Sequence, residues 1–285
     1  MREVALNGAG MTALVLAGTR PGGDPLAEHA GVSHKALIEI GGMTMIERVV
    51  AALAASPAVG RIVIAIDRPE LLADLPGLKL QNCGKPVETM ATGDGPSATV
   101  ALALARENTP MLVTTADNAL LQTAWIDEFL IACPADADVA AALAPRKAVE
   151  VAAPGGQRTW LRFKDGDFSG CNLFLLATPA AAGVVTLWQE LEGARKEPLR
   201  MMQRLGFGIA MRYQLGQLHS SDAAARLGEL SGGARLALVE MKDGRAAIDV
   251  DKPADLTLVR QLVSAESGSR ALEASSSQPE ASSRT

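Results

Sequence analysis

The stretch TALVLAG at residues 12–18 is an apolar run that ends at a glycine, and it opens the repeating pattern of the chain. A continuous apolar run of this length is typical of a strand that is buried on both faces of a parallel sheet. A polar loop rich in glycine and proline follows, and then MIERVVAALAA at residues 45–55 has apolar residues at helical spacing. This order of strand, loop and helix predicts the first unit of an α/β fold.

The same order is repeated further along the chain. RIVIAI at 61–66 and MLVTT at 111–115 have the composition of buried strands, and helical patterns follow at 97–108 and 124–132. Strands that alternate with helices predict a mostly parallel sheet covered by helices on both faces, which is a three-layer α/β/α sandwich. Such sheets bind ligands at the carboxyl ends of their strands.

The second half of the chain is less regular but adds further elements. We predict strands at 138–145, 170–177, 235–240 and 246–250, and helices at 179–196 and 254–263. Residues 265–285 are rich in Ser, Glu and Ala with little to bury, which predicts a disordered tail. The remaining residues, 1–264, are predicted to form one domain with two halves, at about 11–135 and 136–264.

The composition excludes several classes of protein. The chain has 285 residues, of which 48% are hydrophobic and 21% charged, and this is typical of a globular protein. The net charge of -5 and the aromatic content of only 3% argue against a nucleic-acid partner, which is usually bound by basic and aromatic surfaces.

The cysteines and the apolar segments indicate a cytoplasmic protein. Cys83, Cys133 and Cys171 are scattered, without the spacing of a zinc site or a disulfide framework, so we expect reduced thiols. No apolar run reaches the length of a transmembrane helix. The start of the chain also lacks the charged segment and the cleavage site of a signal peptide.

Two cations flank the loop after the first strand. Arg20 and Lys35 lie in a segment whose glycines allow backbone N–H groups to approach a phosphate, and their charges suit a triphosphate. The alternative is a glycine-rich surface turn with two solvated cations. The segment has neither a GK[ST] phosphate loop nor a GxGxxG fingerprint.

Three aspartates are candidates for a metal site. Asp117 directly follows the strand at 111–115, and Asp249 and Asp251 are two residues apart, so they would share one face of an extended strand. Mg²⁺ prefers one or two carboxylates together with phosphate oxygens and water. The alternative for Asp251 is a cap on the following helix.

These segments together resemble a known family. LAGTR (16–20), HKALIEIGGMTMIERVVAAL (34–53), GDGPSATVALAL (93–104), TADNALL (115–121) and DVDKPADL (249–256) resemble, in order, motifs of the nucleotidyltransferases with a glycosyltransferase-A-like fold. That family includes molybdenum-cofactor guanylyltransferases, sugar-phosphate nucleotidyltransferases and cytidylyltransferases. The resemblance implies a Rossmann-like fold of the nucleotide-diphospho-sugar transferase type, with a nucleotide-binding first half and an acceptor-binding second half.

The resemblance also implies roles for individual residues. It implies that Arg20, Lys35 and Asp117 are catalytic residues. Asp117, Asp249 and Asp251 would bind Mg²⁺, and Asn172 would contact the acceptor. The nucleotide would be bound by Leu16, Ala17, Gly18, Thr19, Gly95 and Ser97. One departure is that the family's second glycine is missing before Arg20, while two glycines follow it at Gly22 and Gly23.

The implied activity is the transfer of a nucleoside monophosphate from CTP or GTP to a phosphorylated small molecule, with release of pyrophosphate. A glycosyltransferase of the same fold and a non-catalytic nucleotide-binding protein are the alternatives. TADNA lacks the Asp-x-Asp of many glycosyltransferases, and no Ser–His–Asp or Cys–His arrangement suggests hydrolysis.

A basic stretch remains outside these motifs. RKEPLRMMQRLGFGIAMR at 195–212 carries five cations against one acid in an otherwise acidic chain. One interpretation is a solvated helix face. The other is a surface for an anionic acceptor, which could include a peripheral contact with a membrane face.

Overall fold

The computed structural model describes residues 10–19, 22–156, 158–194 and 197–276. Ten strands are found in this part of the chain: β1 (Met11–Leu16), β2 (Glu39–Ile40), β3 (Met43–Thr44), β4 (Val59–Ala65), β5 (Val87–Met90), β6 (Met111–Thr115), β7 (Val139–Pro145), β8 (Leu161–Phe163), β9 (Gly166–Leu176) and β10 (Leu236–Glu240). The same ranges contain eleven α-helices: α1 (Pro25–Ala30), α2 (Met45–Ala55), α3 (Leu80–Cys83), α4 (Pro96–Arg106), α5 (Thr123–Ala132), α6 (Arg146–Ala152), α7 (Ala181–Gly193), α8 (Pro198–Leu205), α9 (Phe207–Gln214), α10 (Ser220–Leu230) and α11 (Pro253–Ser276).

Eight strands form one central sheet, in the order β10-β7-β9-β6-β1-β4-β5 with β8 paired to β9. β1 is parallel to both β4 and β6, β4 is parallel to β5, and β7 is parallel to β10. The antiparallel pairs of this sheet all involve β9, which pairs with β6, β7 and β8. The predicted mostly parallel α/β sheet is therefore confirmed.

Both faces of the sheet are buried, as the continuous apolar runs predicted. Along β1, Ala13 and Val15 face a core built with α2, α5 and α11, whereas Leu14 faces a second core built with α4 and α7. All three side chains are fully buried. Successive residues of a strand point to opposite faces, so an uninterrupted apolar run is what a strand between two helical layers requires. The three-layer arrangement is thus confirmed.

The start of α2 is stabilised by a capping pair that the local sequence provides. Thr44 caps the helix by accepting from the N–H of Glu47, and the Glu47 carboxylate accepts in return from the N–H of Thr44. This reciprocal pair satisfies backbone donors that a helix start leaves unpaired. The predicted bounds of α2 and β6 agree with the structure.

Two predicted segments are wrong. Residues 246–250 do not form a strand, because a 3₁₀ turn covers Gly244–Ala247 and the chain then continues without pairing. The apolar side chains there, including Ile248 and Val250, are buried in the core by that turn, and burial alone does not imply sheet pairing. The second correction concerns α11, which continues to Ser276 and so covers the first part of the predicted tail. Ala, Glu, Arg and Leu propagate an existing helix readily, and residues 277–285 lie outside the described residues.

The turn at Gly244 has no space for a larger residue. A Cβ at Gly244 would lie 2.1 Å from the carbonyl oxygen of Ala148 in α6. Because the obstacle is backbone, it cannot be relieved by a change of rotamer.

We expect Gly244→Ala to lower the free energy of unfolding by about 2–3 kcal/mol, since overpacking forces the turn and α6 apart. Urea denaturation measures this change. Gly193→Ala is the matched control, because a Cβ at Gly193 meets nothing within 4 Å. Equal stability of the two variants would contradict the tight packing at Gly244.

Candidate active site at the carboxyl edge of the sheet

Several of the predicted site residues meet where β1 and β6 end. Leu16 of β1 is paired with Thr115 of β6, and the N–H of Ala116 donates to the carbonyl of Leu16 at 2.9 Å. Because the two strands are parallel neighbours, the loops that follow them leave the sheet at the same edge. Asp117 is therefore placed beside the loop that carries Lys35.

Lys35 is the centre of the site. Its Nζ donates to Oδ2 of Asp117 at 2.8 Å and to Oδ1 of Asp251 at 2.7 Å. Burial disfavours the charge of the Lys35 ammonium, but the two carboxylates outweigh burial and raise the pKa of Lys35 above its usual value. We call Lys35, Asp117, Asp249 and Asp251 the Lys35 cluster.

Local structure fixes the position of Lys35 and of Asp117. His34 precedes a short 3₁₀ turn, and its Nδ1 accepts from the N–H of Ala36 at 3.1 Å, so the backbone next to Lys35 is anchored. Thr115 Oγ1 donates to Oδ1 of Asp117. The carbonyl of Asp117 accepts from the N–H of Val250 at 3.1 Å, which draws the segment of Asp249 and Asp251 to this edge.

Asp249 is held by two donors of its own. Its Oδ2 accepts from Asn172 Nδ2 at 3.0 Å, and its Oδ1 accepts from Arg158 Nη1 at 2.8 Å. Burial, followed by the nearby charges of Asp117 and Asp251, raises the pKa of Asp249, while Arg158 and Asn172 act in the opposite direction. Negative charge has accumulated at this point, and an added cation would relieve it.

Asn172 owes its orientation to an irregularity in β9. The pairing of β7 with β9 is interrupted between Ala141 and Leu143, opposite residues 171–173. Asn172 has φ 48°, in the left-handed region that Asn tolerates better than most residues. A bulge of this kind redirects a side chain, and here the Asn172 amide contacts Asp249, so the structure does bring this predicted acceptor residue to the cluster.

Arg158 is a site residue that the sequence analysis missed. Its side chain is 6% exposed, and it joins Asp249 to Asp255, whose Oδ1 lies 3.1 Å from Nη2. Asp255 also accepts from the N–H groups of Asp251 and Lys252, so it serves the start of α11 as well. Arg158 lies in the irregular segment between α6 and β8 and does not directly follow a strand, so only its charge could have drawn attention to it.

The glycine loop after β1 is held by Asp67. The N–H of Thr19 donates to Oδ1 of Asp67 at 3.0 Å, and His34 Nε2 lies 3.4 Å from the same oxygen. Burial raises the pKa of Asp67, but hydrogen bonds from its own backbone N–H, from Thr19 and from His34 outweigh burial and lower the pKa. A Cβ at Gly18 would lie 2.9 Å from Thr92, so the loop also packs closely here. Asp67 was not predicted, and the predicted Arg20 lies outside the described residues.

The second predicted nucleotide segment is engaged by Glu192. Both the N–H and the Oγ of Ser97 donate to Glu192 Oε2, near the end of α7. Ser97 is 3% exposed, and Gly95 lies against the same carboxylate. The nucleotide contacts expected for Gly95 and Ser97 therefore stay predictions, and in this conformation the Ser97 donors are already used. Glu192 carried no signal in the sequence.

The Lys35 cluster offers carboxylates that could hold a magnesium ion if phosphate oxygens and water completed its coordination. Among the described residues, no group of three or more His, Cys, Asp or Glu side chains is arranged to hold a metal ion. Asp117 and Asp251 nevertheless converge on one cation, the Lys35 ammonium, and two carboxylates completed by phosphate oxygens are what Mg²⁺ prefers. The donors suit an ion that arrives with a triphosphate.

The basic stretch is partly described. Arg204 pairs with Glu190 at 2.5 Å and Arg212 with Asp222 at 2.6 Å, both on exposed surface. Arg195 and Lys196 lie outside the described residues. In the ranges that the structure describes, no helix has both the length and the apolar character needed to cross a membrane.

Cys171 lies beside the site, and its thiol is buried. It is 2% exposed, and burial, reinforced by the nearby charge of Asp249, raises the pKa of its thiol to about 12. At about pH 8 the thiol is therefore protonated, and protonated buried thiols react slowly.

We expect Cys171 to stay unmodified by a thiol reagent in the native chain at about pH 8 and to react once the chain is unfolded in urea. The half-exposed Cys83 is the internal control. Peptide mass spectrometry measures both sites, and native modification of Cys171 at the rate of Cys83 would contradict the burial.

Comparisons with known proteins concern the family and the fold of the chain. The model of the MobA-like NTP transferase domain matches residues 13–227. The sequence of the chain matches no curated protein. A solved structure from Thermus thermophilus, described as a hypothetical transferase, is 27% identical with a TM-score of 0.73, over 87% of this chain and 99% of that one.

Two further structures are similar in fold. 4-Diphosphocytidyl-2C-methyl-D-erythritol synthase from Anaerococcus prevotii is 9% identical, with a TM-score of 0.56, over 90% of this chain and 97% of its own. CMP:2-keto-3-deoxy-manno-octonic acid synthetase, solved with CTP, is 16% identical, with a TM-score of 0.54, over 90% of this chain and 98% of its own.

Proposed function

Because the chain belongs to the family of MobA-like NTP transferase domains and is therefore a nucleotidyltransferase, we propose that the Lys35 cluster is its catalytic centre. In this proposal the enzyme depends on Mg²⁺ and transfers a nucleoside monophosphate to a phosphorylated small molecule. The observation that carries the proposal is the convergence of Asp117 and Asp251 on Lys35 at the carboxyl edge of the sheet.

The chemistry needs positioning and positive charge more than it needs a base. An oxygen of the acceptor phosphate attacks the α-phosphorus of the triphosphate, a P–O bond forms, and the bond to the leaving pyrophosphate breaks. A phosphate oxygen is already a nucleophile, so no proton has to be removed. Catalysis then depends on alignment and on charge stabilisation.

Each residue of the cluster has a part in this scheme. Lys35 stabilises the charge that develops at the α-phosphate, and Asp117 and Asp251 would hold the metal. Mg²⁺ supplies neutralisation of the phosphate oxygens when it is bound. Asp249 is oriented by Arg158 and Asn172, which lie on the β9 side of the cluster, where we place the acceptor.

The identity of the nucleotide base is a further part of the proposal. The names of two structures of similar fold refer to cytidyl compounds, and one of those structures was solved with CTP. The family name refers to MobA, and the resemblance of the chain extends to guanylyltransferases. CTP and GTP are therefore the two nucleotides to compare first.

We expect pyrophosphate release from CTP or GTP, in the presence of Mg²⁺ and a sugar phosphate or a similar phosphorylated acceptor. The assay follows pyrophosphate with each of CTP, GTP, UTP and ATP, with and without acceptor and metal. Asp117→Asn should lower kcat/KM by about 10²–10³, the size expected when one charged group at a transferring phosphate is lost.

Asp136→Asn is the control for this loss. Asp136 is 65% exposed, precedes β7 at the opposite edge of the sheet and pairs with Arg235, so the same change of charge there should leave turnover intact. If no triphosphate is turned over and a nucleotide-sugar is, the proposal is wrong and the enzyme is a glycosyltransferase. Nucleotide binding without any turnover would make it a non-catalytic protein.

A further inference from the structure

We propose that Lys35 is an internal cation that occupies the metal position of the nucleotide-free chain, and that metal and triphosphate enter together by exchange. The metal takes over Asp117 and Asp251, and the Lys35 ammonium moves to the triphosphate. This inference rests on the proposed function, since it concerns how the proposed substrates reach the Lys35 cluster.

The first support is the geometry of the two ion pairs. Lys35 Nζ lies within 2.8 Å of one oxygen from each of Asp117 and Asp251, so the ammonium stands between the carboxylates that a metal would need. The same two carboxylates would hold the metal, so the metal and the ammonium compete for the same oxygens. The two cations therefore cannot share the position.

The second support is the balance of charge. The cluster has three carboxylates: Asp117 and Asp251 share the single positive charge of Lys35, and Asp249 shares that of Arg158 with Asp255. A divalent ion that entered without a nucleotide would displace an ammonium for which no new anionic partner had arrived. Entry of the metal alone is thus opposed by the separation of Lys35 from its two carboxylates.

A triphosphate removes this obstacle. Its oxygens offer Lys35 new anionic partners and also complete the coordination of the metal, so each ligand lowers the cost of binding the other. Such coupling is reciprocal, because a ligand that raises the affinity for a second one is itself bound more tightly in the presence of the second.

The side chain that moves is Lys35 rather than an aspartate. A lysine ammonium is a compact charge on a flexible four-carbon stem, so it can change partners without movement of the backbone. Asp117 is fixed by Thr115 and by its place at the end of β6. The Asp251 side chain is 50% exposed, compared with 21% for Asp117 and 17% for Lys35, so the cluster is most open on the Asp251 side.

The test measures metal binding without any nucleotide. Mn²⁺ serves as the probe, since its free form is quantified directly by electron paramagnetic resonance. We expect Lys35→Gln to bind Mn²⁺ at least about tenfold more tightly than the unmodified chain, because the competing cation is gone; tenfold corresponds to about 1.4 kcal/mol. Lys79→Gln removes the same charge at an exposed position and should bind Mn²⁺ as the unmodified chain does.

A second variant shows where the metal binds. Adding Asp117→Asn to Lys35→Gln should abolish the gain, because one of the two converging carboxylates is lost. Equal Mn²⁺ affinity of Lys35→Gln and the unmodified chain would overturn the exchange, and so would a gain that survives Asp117→Asn.

Loss of Lys35 removes the cation that Asp117 and Asp251 share and can weaken the fold, which gives an independent measurement. A metal that binds only the native state raises stability, so Mn²⁺ should stabilise Lys35→Gln against urea more than it stabilises Lys79→Gln. A Lys35→Gln chain that stays unfolded when Mn²⁺ is added contradicts the proposal, since the metal should replace the missing cation.

Failure of the exchange and failure of the proposed function give different results. Turnover of a triphosphate by the unmodified chain, together with unchanged Mn²⁺ affinity in Lys35→Gln, overturns only the exchange. Absence of any triphosphate turnover or binding, together with tighter Mn²⁺ binding in Lys35→Gln, overturns the proposed function and leaves Lys35 as the occupant of a cation position.

Discussion

The parallel pairing of β1 with β6 is the constraint on which the rest of the site depends. It places the loop that carries Lys35 and the residue Asp117 side by side, although they are far apart in the chain. The hydrogen bond from Val250 to the Asp117 carbonyl then draws the late segment to the same point. One strand register therefore decides whether three distant parts of the sequence form a site.

The charged side chains of this site are stabilised by ion pairs and hydrogen bonds with specific neighbouring residues. Burial acts against the charged forms of both Lys35 and Asp249, yet the two groups respond differently. Opposite charges stabilise the ammonium of Lys35 and raise its pKa. Like charges act together with burial on Asp249, disfavour its ionised carboxylate and raise its pKa. The arrangement has an excess of negative charge that is only partly compensated by Arg158. A protein that used this edge for packing alone would gain little from it, because buried ion pairs seldom contribute net stability.

Two carboxylates at this edge accept hydrogen bonds from the segments that are expected to bind the nucleotide. Asp67 accepts the N–H of Thr19, and Glu192 accepts the N–H and hydroxyl of Ser97. In both cases a carboxylate occupies donors that the resemblance assigned to an anionic or polar ligand. The described chain thus satisfies its own donors at these two points, much as Lys35 satisfies the carboxylates of the cluster.

The sequence by itself determined the fold class and the order of the first strands and helices, and it indicated all four residues of the Lys35 cluster as candidates. It could do so because buried parallel strands leave continuous apolar runs, and because polar residues directly after such runs must lie at one edge of the sheet. Only the tertiary structure decided that Lys35 pairs with two of the aspartates, that Arg158 and Glu192 belong to this edge, and that residues 246–250 turn instead of pairing. These features depend on contacts between segments distant in sequence, on a bulge in β9 and on the close approach of Gly244 to α6, and hydrophobic periodicity contains no information about any of them.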